Sequence, residues 1–333
     1  MEITLKDLAR LANVSPSTVS RALAGHPSIS ETTRRKVKEL ARAHEYSPNH
    51  LARGLVTRRS NLIGLLVPDI TNPFFSEWAQ AAELEASKHG YAVILCNTMR
   101  RRAQEDQHIR MLHELRVTGL LTCSLDPTNP TIRDLSTASS PVVFCDPELP
   151  QGVAASLVRS DSVEGARLAT QHLIALGRKR IAHLAGSEDS IATRQRVEGY
   201  KRALGEAGLP FLPNCVVSTE YSEAGGYESI QKLLDSEPEV DAVFAANDLI
   251  AVGAMLGAGL LGRRVPEDLA VVGFDDIRLA SLVEPPLTSI RIHAREMGRT
   301  GMEILLDHLK HPDRPYAVVE LEPTLIVRKS CGA

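Results

Sequence analysis

Two groupings in this sequence combine residue types and spacings that suit chemistry. The first is the stretch "NVSPSTVSRAL" (13–23), where Pro16, Ser17 and Arg21 stand among small hydroxyl residues. Ser17 and Arg21 are one helical turn apart, and an arginine fork can donate two hydrogen bonds to guanine O6 and N7 in a DNA major groove. The second is a set of polar residues closing apolar runs of strand length: Asp69, Asp146, Asn247 and Asp275. Such positions suit a ligand held at the carboxyl ends of parallel strands. Asp146 and Asp275 also offer carboxylates for proton transfer, although nothing in the sequence marks them as a pair.

Several enzyme signatures are missing. There is no GxSxG nucleophile elbow, no P-loop and no HExxH. Gly257 to Gly262 satisfies GxGxxG, but it follows the helical stretch "NDLIAVGAML" and is expected to end a helix rather than to cradle a dinucleotide. His308 and His311, near "LKHPDRP", are expected at the surface beyond a helix end rather than on a metal. The five cysteines are scattered without a CxxC pair and are expected to be buried free thiols. No metal or cofactor is expected.

The elements that must position Ser17 and Arg21 are three short helices in the first 46 residues. In "TLKDLARLAN", Thr4 and Asp7 have capping-box spacing, and Leu5, Leu8, Ala9 and Ala12 share one face. Ser15 can cap the second helix and Pro16 suits its first position. Ser30 can cap the third, with Val37, Leu40 and Ala41 facing inward. Val19 and Leu23 brace the second helix, leaving an outer face of small hydroxyls and one arginine that can slide between phosphate walls. This is helix-turn-helix logic, in which one helix braces and the next reads. A three-helix cap on an enzyme is the rival interpretation.

Charge separates that head from the rest. Residues 1–60 carry 11 Lys+Arg against 5 Asp+Glu, whereas the remainder carries 27 against 36. A basic head on an acidic body points to a polyanion met by the head alone. Within "YSPNHLARGLVTRRSN", the two turns from Asn49 to Val56 are marginal as a free helix. Leu51 and Leu55 among arginines suit either a flexible tether or apolar wedges for a minor groove, ordered on DNA. No run of 18 uncharged apolar residues or signal-peptide core appears, so a cytoplasmic location is expected.

From residue 61 onward, "LIGLLVP", "YAVILC", "VTGLLTC", "PVVFCD", "RIAHLAG", "VDAVFAAN" and "LAVVGFDD" alternate with helical stretches. That alternation predicts an α/β body of parallel sheets covered by helices.

The head sequence through "HLARGL", with "IGLLVPDITNPFF", "HLIALGRKRIAHLAG", "RQRVEGY", "FAANDLIAVGAM" and "VVGFDDIRLASLVEPPLTSI", resembles the LacI/GalR family of bacterial transcription regulators along essentially the whole chain. The resemblance implies a helix-turn-helix head (1–46), a hinge helix and linker (47–60), and a two-lobed body like periplasmic sugar-binding proteins (61–330). It assigns 61–160 and 292–322 to the first lobe, and 161–291 and 323–330 to the second. It further implies base reading through Pro16, Ser17 and Arg21, and a minor-groove leucine at Leu55 beside Ala52. The DNA-contacting set expected in full is Thr4, Ser15, Pro16, Ser17, Thr18, Arg21, Ser28, Ser30, Asn49, Ala52, Arg53 and Leu55.

For the cleft, the resemblance implies Phe74, Phe75, Arg194, Arg196, Tyr221, Asn247 and Asp275, to which the strand ends add Asp69 and Asp146. Aromatic faces over sugar CH surfaces, with paired bonds from Asn, Asp and Arg to hydroxyls, make a polyol site. Pro147 and Ile292 stand where ribose-type members tend to carry an arginine and a glutamine. The partners expected are double-stranded DNA with a pseudo-palindromic operator, a small-molecule effector such as a sugar or sugar acid, and a second copy of the chain. A homodimer is favoured over a tetramer because nothing after Arg328 resembles a leucine heptad. A protein co-effector and a sugar-modifying enzyme are the alternatives.

Overall fold

The computed structural model describes residues 3–23, 25–44, 46, 60–123, 131, 140–145, 148–149, 153–188 and 190–333. The chain forms two compact units, Met1–Ser60 and Asn61–Ala333. Asn49, Ala52, Arg53 and Leu55 of the expected hinge, and Asp146 of the expected cleft, lie outside the described residues.

The first unit contains α1 (Leu5–Ala12), α2 (Pro16–Leu23) and α3 (Glu31–Ala43). Thr4 and Asp7 form the reciprocal capping box: Thr4 Oγ1 accepts from the Asp7 amide at 3.3 Å and Asp7 Oδ2 from the Thr4 amide at 3.1 Å. Those bonds hold the Asp7 carboxyl below its usual range. Ser15 Oγ accepts from the Thr18 amide (3.1 Å) at the start of α2, and Ser30 Oγ from the Thr33 amide (3.3 Å) at the start of α3. The core is small: Leu8, Val19 and Val37 meet at its centre, ringed by Ala9, Ala12, Ala22 and Ala41. Only Val19 and Ala22 of α2 are fully inside it.

The second unit begins with β1 (Leu62–Val67), α4 (Pro73–Lys88), β2 (Ala92–Asn97), α5 (Arg102–Glu114), β3 (Gly119–Thr122), β4 (Val142–Cys145) and β5 (Ser156–Ser160). There follow α6 (Ser162–Ala175), β6 (Ile181–Ala185), α7 (Ile191–Glu206), β7 (Val216–Ser218), α8 (Glu223–Ser236), β8 (Ala242–Ala245) and α9 (Asp248–Leu260). The last elements are β9 (Ala270–Asp275), β10 (Thr288–Arg291), α10 (Ala294–Lys310), β11 (Val318–Leu321) and β12 (Thr324–Ile326).

The strands make two six-stranded sheets, ordered β11-β5-β4-β3-β1-β2 and β12-β10-β9-β8-β6-β7. Every pairing is parallel except β10 with β12. The chain crosses between the sheets three times, after β5, after β10 and after β11. In each sheet the strand order reverses beside the first strand, β1 or β6, and that reversal opens a crevice at the carboxyl ends. Central strands β3, β4, β6, β8 and β9 are buried throughout, as sheets covered on both faces require.

Gly257 to Gly262 end α9, with Gly262 in the left-handed region at φ 77°. The five cysteines are buried free thiols. His308 differs from expectation. It lies inside α10, buried, and shares a 2.8 Å hydrogen bond with Ser156 Oγ, while His311 alone is the exposed residue at the helix end. The helix runs to Lys310, and the spacing Leu305–His308 continues its inner face. Among the described residues no helix is long and apolar enough to cross a membrane.

A second buried histidine has a thermodynamic consequence. His183 on β6 stacks on Phe244 with centroids 4.5 Å apart, and its Nδ1 lies 2.8 Å from the Phe244 carbonyl, an arrangement that suits the neutral Nδ1–H tautomer as donor. Burial pushes its pKa down from 6.5 to about 4. Above pH 6.5 the ring is neutral in both folded and unfolded chains. Below that the unfolded chain takes a proton that the folded chain refuses, so stability is lost as pH falls from 6.5 to about 4. The lost stability amounts to about 3 kcal/mol. In His183→Phe, the fall in urea-unfolding free energy between pH 7.5 and 5 is expected to shrink by about 2 kcal/mol. Equal pH dependence in the two proteins would assign the acid sensitivity elsewhere.

Candidate functional site

In the first unit, Thr4, Ser15, Pro16, Ser17, Arg21, Ser28 and Ser30 are exposed and Thr18 is half-buried. Ser15 Oγ lies 2.8 Å from both Ser17 Oγ and Thr18 Oγ1, so three hydroxyls form a linked patch at the start of α2. Arg21 follows Ser17 by one turn, and among the described residues no carboxylate pairs with it. Ser28 is tied to His26 Nδ1 at 2.8 Å. Thr4 donates its hydroxyl hydrogen to Asp7 Oδ2 at 2.6 Å, whereas Ser15 and Ser30 spend an oxygen lone pair on their helix caps and share a 2.8 Å hydroxyl contact with Thr18 and Thr33 in which either partner can donate. An exposed patch of short hydroxyls with one unpaired arginine suits a groove between phosphate walls.

In the second unit, the carboxyl ends of the two sheets face one cleft of about 590 Å³, counting its open mouth. The first sheet supplies the turn after β1. Asn72 caps α4, its Oδ1 accepting from the Phe74 amide at 3.0 Å, and its Nδ2 reaches Asp275 Oδ2 on the other sheet at 3.3 Å. Phe74 and Phe75 follow with rings edge to face at 5.1 Å, and both line the cleft.

From the second sheet come Arg196, Tyr221 and Asp275. Arg196 projects from α7, with its guanidinium carbon 3.9 Å from the centre of the Phe274 ring and Nη1 donating to the Ala246 carbonyl at 2.5 Å. Its Nη2 is 3.9 Å from Asp275 Oδ1, and its buried Nε has no hydrogen-bond partner among the described residues. Tyr221 shares a 2.8 Å hydroxyl bond with Thr193 Oγ1. The Tyr221 ring lies flat on Gly186, where a Cβ would fall 2.0 Å from ring carbons, so only glycine admits it.

The remaining candidates stand apart from the cleft lining. Asp69 Oδ1 accepts from the Thr71 amide (3.0 Å) and hydroxyl (2.7 Å), which shapes the turn leading to Asn72. Asn247 caps α9 by accepting from the Ile250 amide at 2.9 Å. Arg194 is exposed and donates to the Glu188 carbonyl at 3.3 Å. Residues two positions apart on a helix are about 200° apart around its axis, so Arg194 and Arg196 point to nearly opposite sides and only Arg196 faces the cleft.

Among the lining residues that were not sequence candidates, Asn72, Arg100 and Ser190 carry polar side chains. Asn72 was readable as the cap of "NPFF", and Ser190 as the cap of the helix carrying Arg196. Arg100 opens the run "RRR" after β2, but only its backbone reveals its direction: Met99 and Arg100 both take left-handed φ, 51° and 55°. Among the described residues no cluster of His, Cys, Asp and Glu could hold a metal ion.

The family described as bacterial regulatory proteins, lacI family, matches residues 4–49. The family of periplasmic binding proteins and sugar binding domain of LacI family matches residues 60–321. The HTH-type transcriptional repressor PurR of Aliivibrio salmonicida is 34% identical over 330 residues, covering 98% of both chains. A solved complex of the transcriptional regulator CelR with cellobiose is 34% identical, with a TM-score of 0.75 over 98% of this chain and 99% of that one. A Lac repressor dimer bound to operator and the anti-inducer ONPF is 28% identical, with a TM-score of 0.88 over the whole of both chains. Such agreement, carried through both units, assigns the protein: it belongs to the LacI family of bacterial regulatory proteins, with that family's DNA-binding region at 4–49 and its sugar-binding domain at 60–321.

Proposed function

We propose that this chain is a cytoplasmic, homodimeric repressor that binds a pseudo-palindromic operator, and that a sugar or sugar derivative held in the cleft controls its operator affinity. The observation that carries the effector half is the composition of the cleft: ring faces from Phe74, Phe75 and Tyr221, with Asn72, Arg196 and Asp275 as hydrogen-bonding groups among them. Flat apolar faces with converging donors and acceptors are what a polyol requires. The described lining offers a single carboxylate, Asp275, which favours binding over a proton-transfer reaction that needs an acid and a base. Relatives named as repressors favour the same reading.

Control works by linkage. The lobes touch across the cleft through Asn72–Asp275 at 3.3 Å and through Gln195–Glu148 at 3.0 Å. An effector that replaces or reinforces such contacts favours one lobe arrangement. Any coupling to the DNA-bound state is then reciprocal: the effector changes operator affinity by the factor by which operator changes effector affinity.

On the DNA side, Ser17 and Arg21 carry base readout, Thr4, Ser15, Thr18, Ser28 and Ser30 stand beside the backbone, and Leu55 with Asn49, Ala52 and Arg53 engages the minor groove from the hinge. Arg21→Ala is expected to weaken specific operator binding by about 1–3 kcal/mol, as loss of one bidentate base contact does. Leu55→Ala is expected to weaken it also, with effector affinity unchanged in both variants. Fluorescence anisotropy on upstream DNA checks this, and equal losses of operator and effector binding would refute the separation.

Asp275→Asn keeps the shape but removes the charge facing Arg196. The expected loss in effector affinity is about tenfold or more, the worth of a charge-assisted hydrogen bond. Calorimetric titration with the bound sugar measures it, and an unchanged affinity would remove Asp275 from the contacts.

A further inference from the structure

Arg100 is the one cationic side chain of the cleft that the sugar site leaves without a task. It follows β2, its amide donating to the Pro68 carbonyl at 2.9 Å, and the consecutive left-handed residues Met99 and Arg100 turn it into the cleft. The guanidinium carbon lies 4.4 Å from the centre of the Tyr221 ring, across the cleft on the second sheet. Its Nε is buried, and among the described residues it has no hydrogen-bond partner and no carboxylate within ion-pair distance. Burial presses its pKa down, with Tyr221, Asp69 and Asp275 acting against that and Arg196 acting with it.

Arg196 is in a similar position. It is 5% exposed, its Nε is also unpartnered, and its nearest carboxylate oxygen is 3.9 Å away. Ile191 and Ala192, at the start of α7, line the same space. Amides in a first helical turn have no acceptor within their own helix and favour negative charge. The described lining therefore brings two guanidiniums and a helix N-terminus to one carboxylate, an excess of positive charge held in a site partly closed to water. A buried guanidinium whose N–H groups lack acceptors is costly, and an oxyanion relieves that cost better than a neutral hydroxyl does.

We propose that the effector carries an anionic group, a carboxylate or a phosphate, seated between Arg100, Arg196 and the first turn of α7, with its polyol part over Phe74 and Phe75. The proposal rests on the cleft being the effector site. An arginine fork binds either oxyanion in bidentate fashion, so the two sources share one chemistry. Because Arg100 belongs to the first lobe and Arg196 to the second, the same anion would tie the lobes together.

The test is calorimetric titration of the full-length chain with matched sets: D-ribose, D-ribonate and ribose 5-phosphate, then D-glucose, D-gluconate, D-glucuronate and glucose 6-phosphate. The expected result is that an anionic member binds roughly tenfold or more tightly than its neutral parent, as charge-assisted bonds imply. Whether the acid or the phosphate wins identifies the source. Arg100→Gln is expected to abolish the preference and Arg100→Lys, which keeps the charge, to retain part of it. A neutral parent that binds as tightly as its acid and its phosphate overturns the anion proposal and leaves the sugar site standing. So does an undiminished preference in Arg100→Gln. Binding by no member of either set overturns the effector reading of the cleft and this proposal with it.

Discussion

The cleft depends on one buried carboxylate that never touches it. Asp248, at the first position of α9, is fully buried. Its Oδ1 accepts from Ser289 Oγ at 2.5 Å and its Oδ2 from the Ile277 amide at 2.7 Å. Immediately before the Ile277 anchor the chain passes through Asp275 and Asp276, both with positive φ, 102° and 53°. Non-glycine residues held there cost of order 1–3 kcal/mol each, so the turn persists only because its surroundings over-determine it. Ser289 Oγ also accepts from the Asp276 amide at 3.1 Å, and Arg291 and Arg328 both pair with the Asp276 carboxylate at 2.7 Å. Burial, with Asp275 nearby, raises the Asp248 pKa well above its usual value, and the two hydrogen bonds act against that shift. What the bonds to Ile277 and Ser289 secure is the direction of Asp275, which points back to Arg196 and Asn72.

The lobes themselves are held by helix pairs packed to backbone contact. In the second lobe, α8 and α9 meet through Gly226 and Gly253, where a Cβ would lie about 2 Å from a carbonyl oxygen of the facing helix. Gly257 continues that seam against Ile230 and Tyr227. Of the glycines that imitate a dinucleotide motif, Gly257 serves close helix packing and Gly262 the left-handed turn, while a Cβ at Gly259 would meet open space. Rigid lobes matter because a sub-ångström change at a ligand propagates only through elements that cannot absorb it.

The fold was legible where one physical requirement dominates. Strands buried on both faces must be apolar throughout, so "LIGLLV", "VVFC" and "AVVGFD" announced themselves. Strands β5, β7 and β11 did not, because "SLVRS", "VVS" and "VVEL" are short or edge-like and mix polar residues into the run. His308 was misplaced because a histidine near a Pro-Asp turn resembles a helix end, and only Ser156, more than a hundred residues away in sequence, explains its burial. In the cleft, Phe74, Phe75, Arg196, Tyr221 and Asp275 were readable through the family resemblance of their motifs, which also put Arg194 and Asn247 there although neither lines the cleft. Asp248 sits beside Asn247 in "AND" but its bonds to Ile277 and Ser289 are long-range, and the direction of Arg100 comes from two backbone torsions that composition does not encode.

Division of the cleft between two lobes decides what a ligand can do there. Phe74, Phe75 and Arg100 belong to the first sheet's side, and Arg196, Tyr221 and Asp275 to the second. A ligand touching only one set would bind every lobe arrangement equally and shift no equilibrium, however tightly it bound. A ligand spanning both sets is bound best when the lobes stand at one separation, and its differential affinity is the free energy available for control. The direct contacts it meets on entry are weak: a 3.3 Å amide–carboxylate bond and an arginine over a phenol ring. Such contacts, with Gln195–Glu148 at 3.0 Å, are worth about 1–3 kcal/mol net apiece, within what a multiply bonded ligand supplies. The lobes are therefore held together loosely enough for a ligand to set their spacing, while the Asp248 network keeps the Asp275 turn rigid enough for that spacing to be felt beyond the cleft.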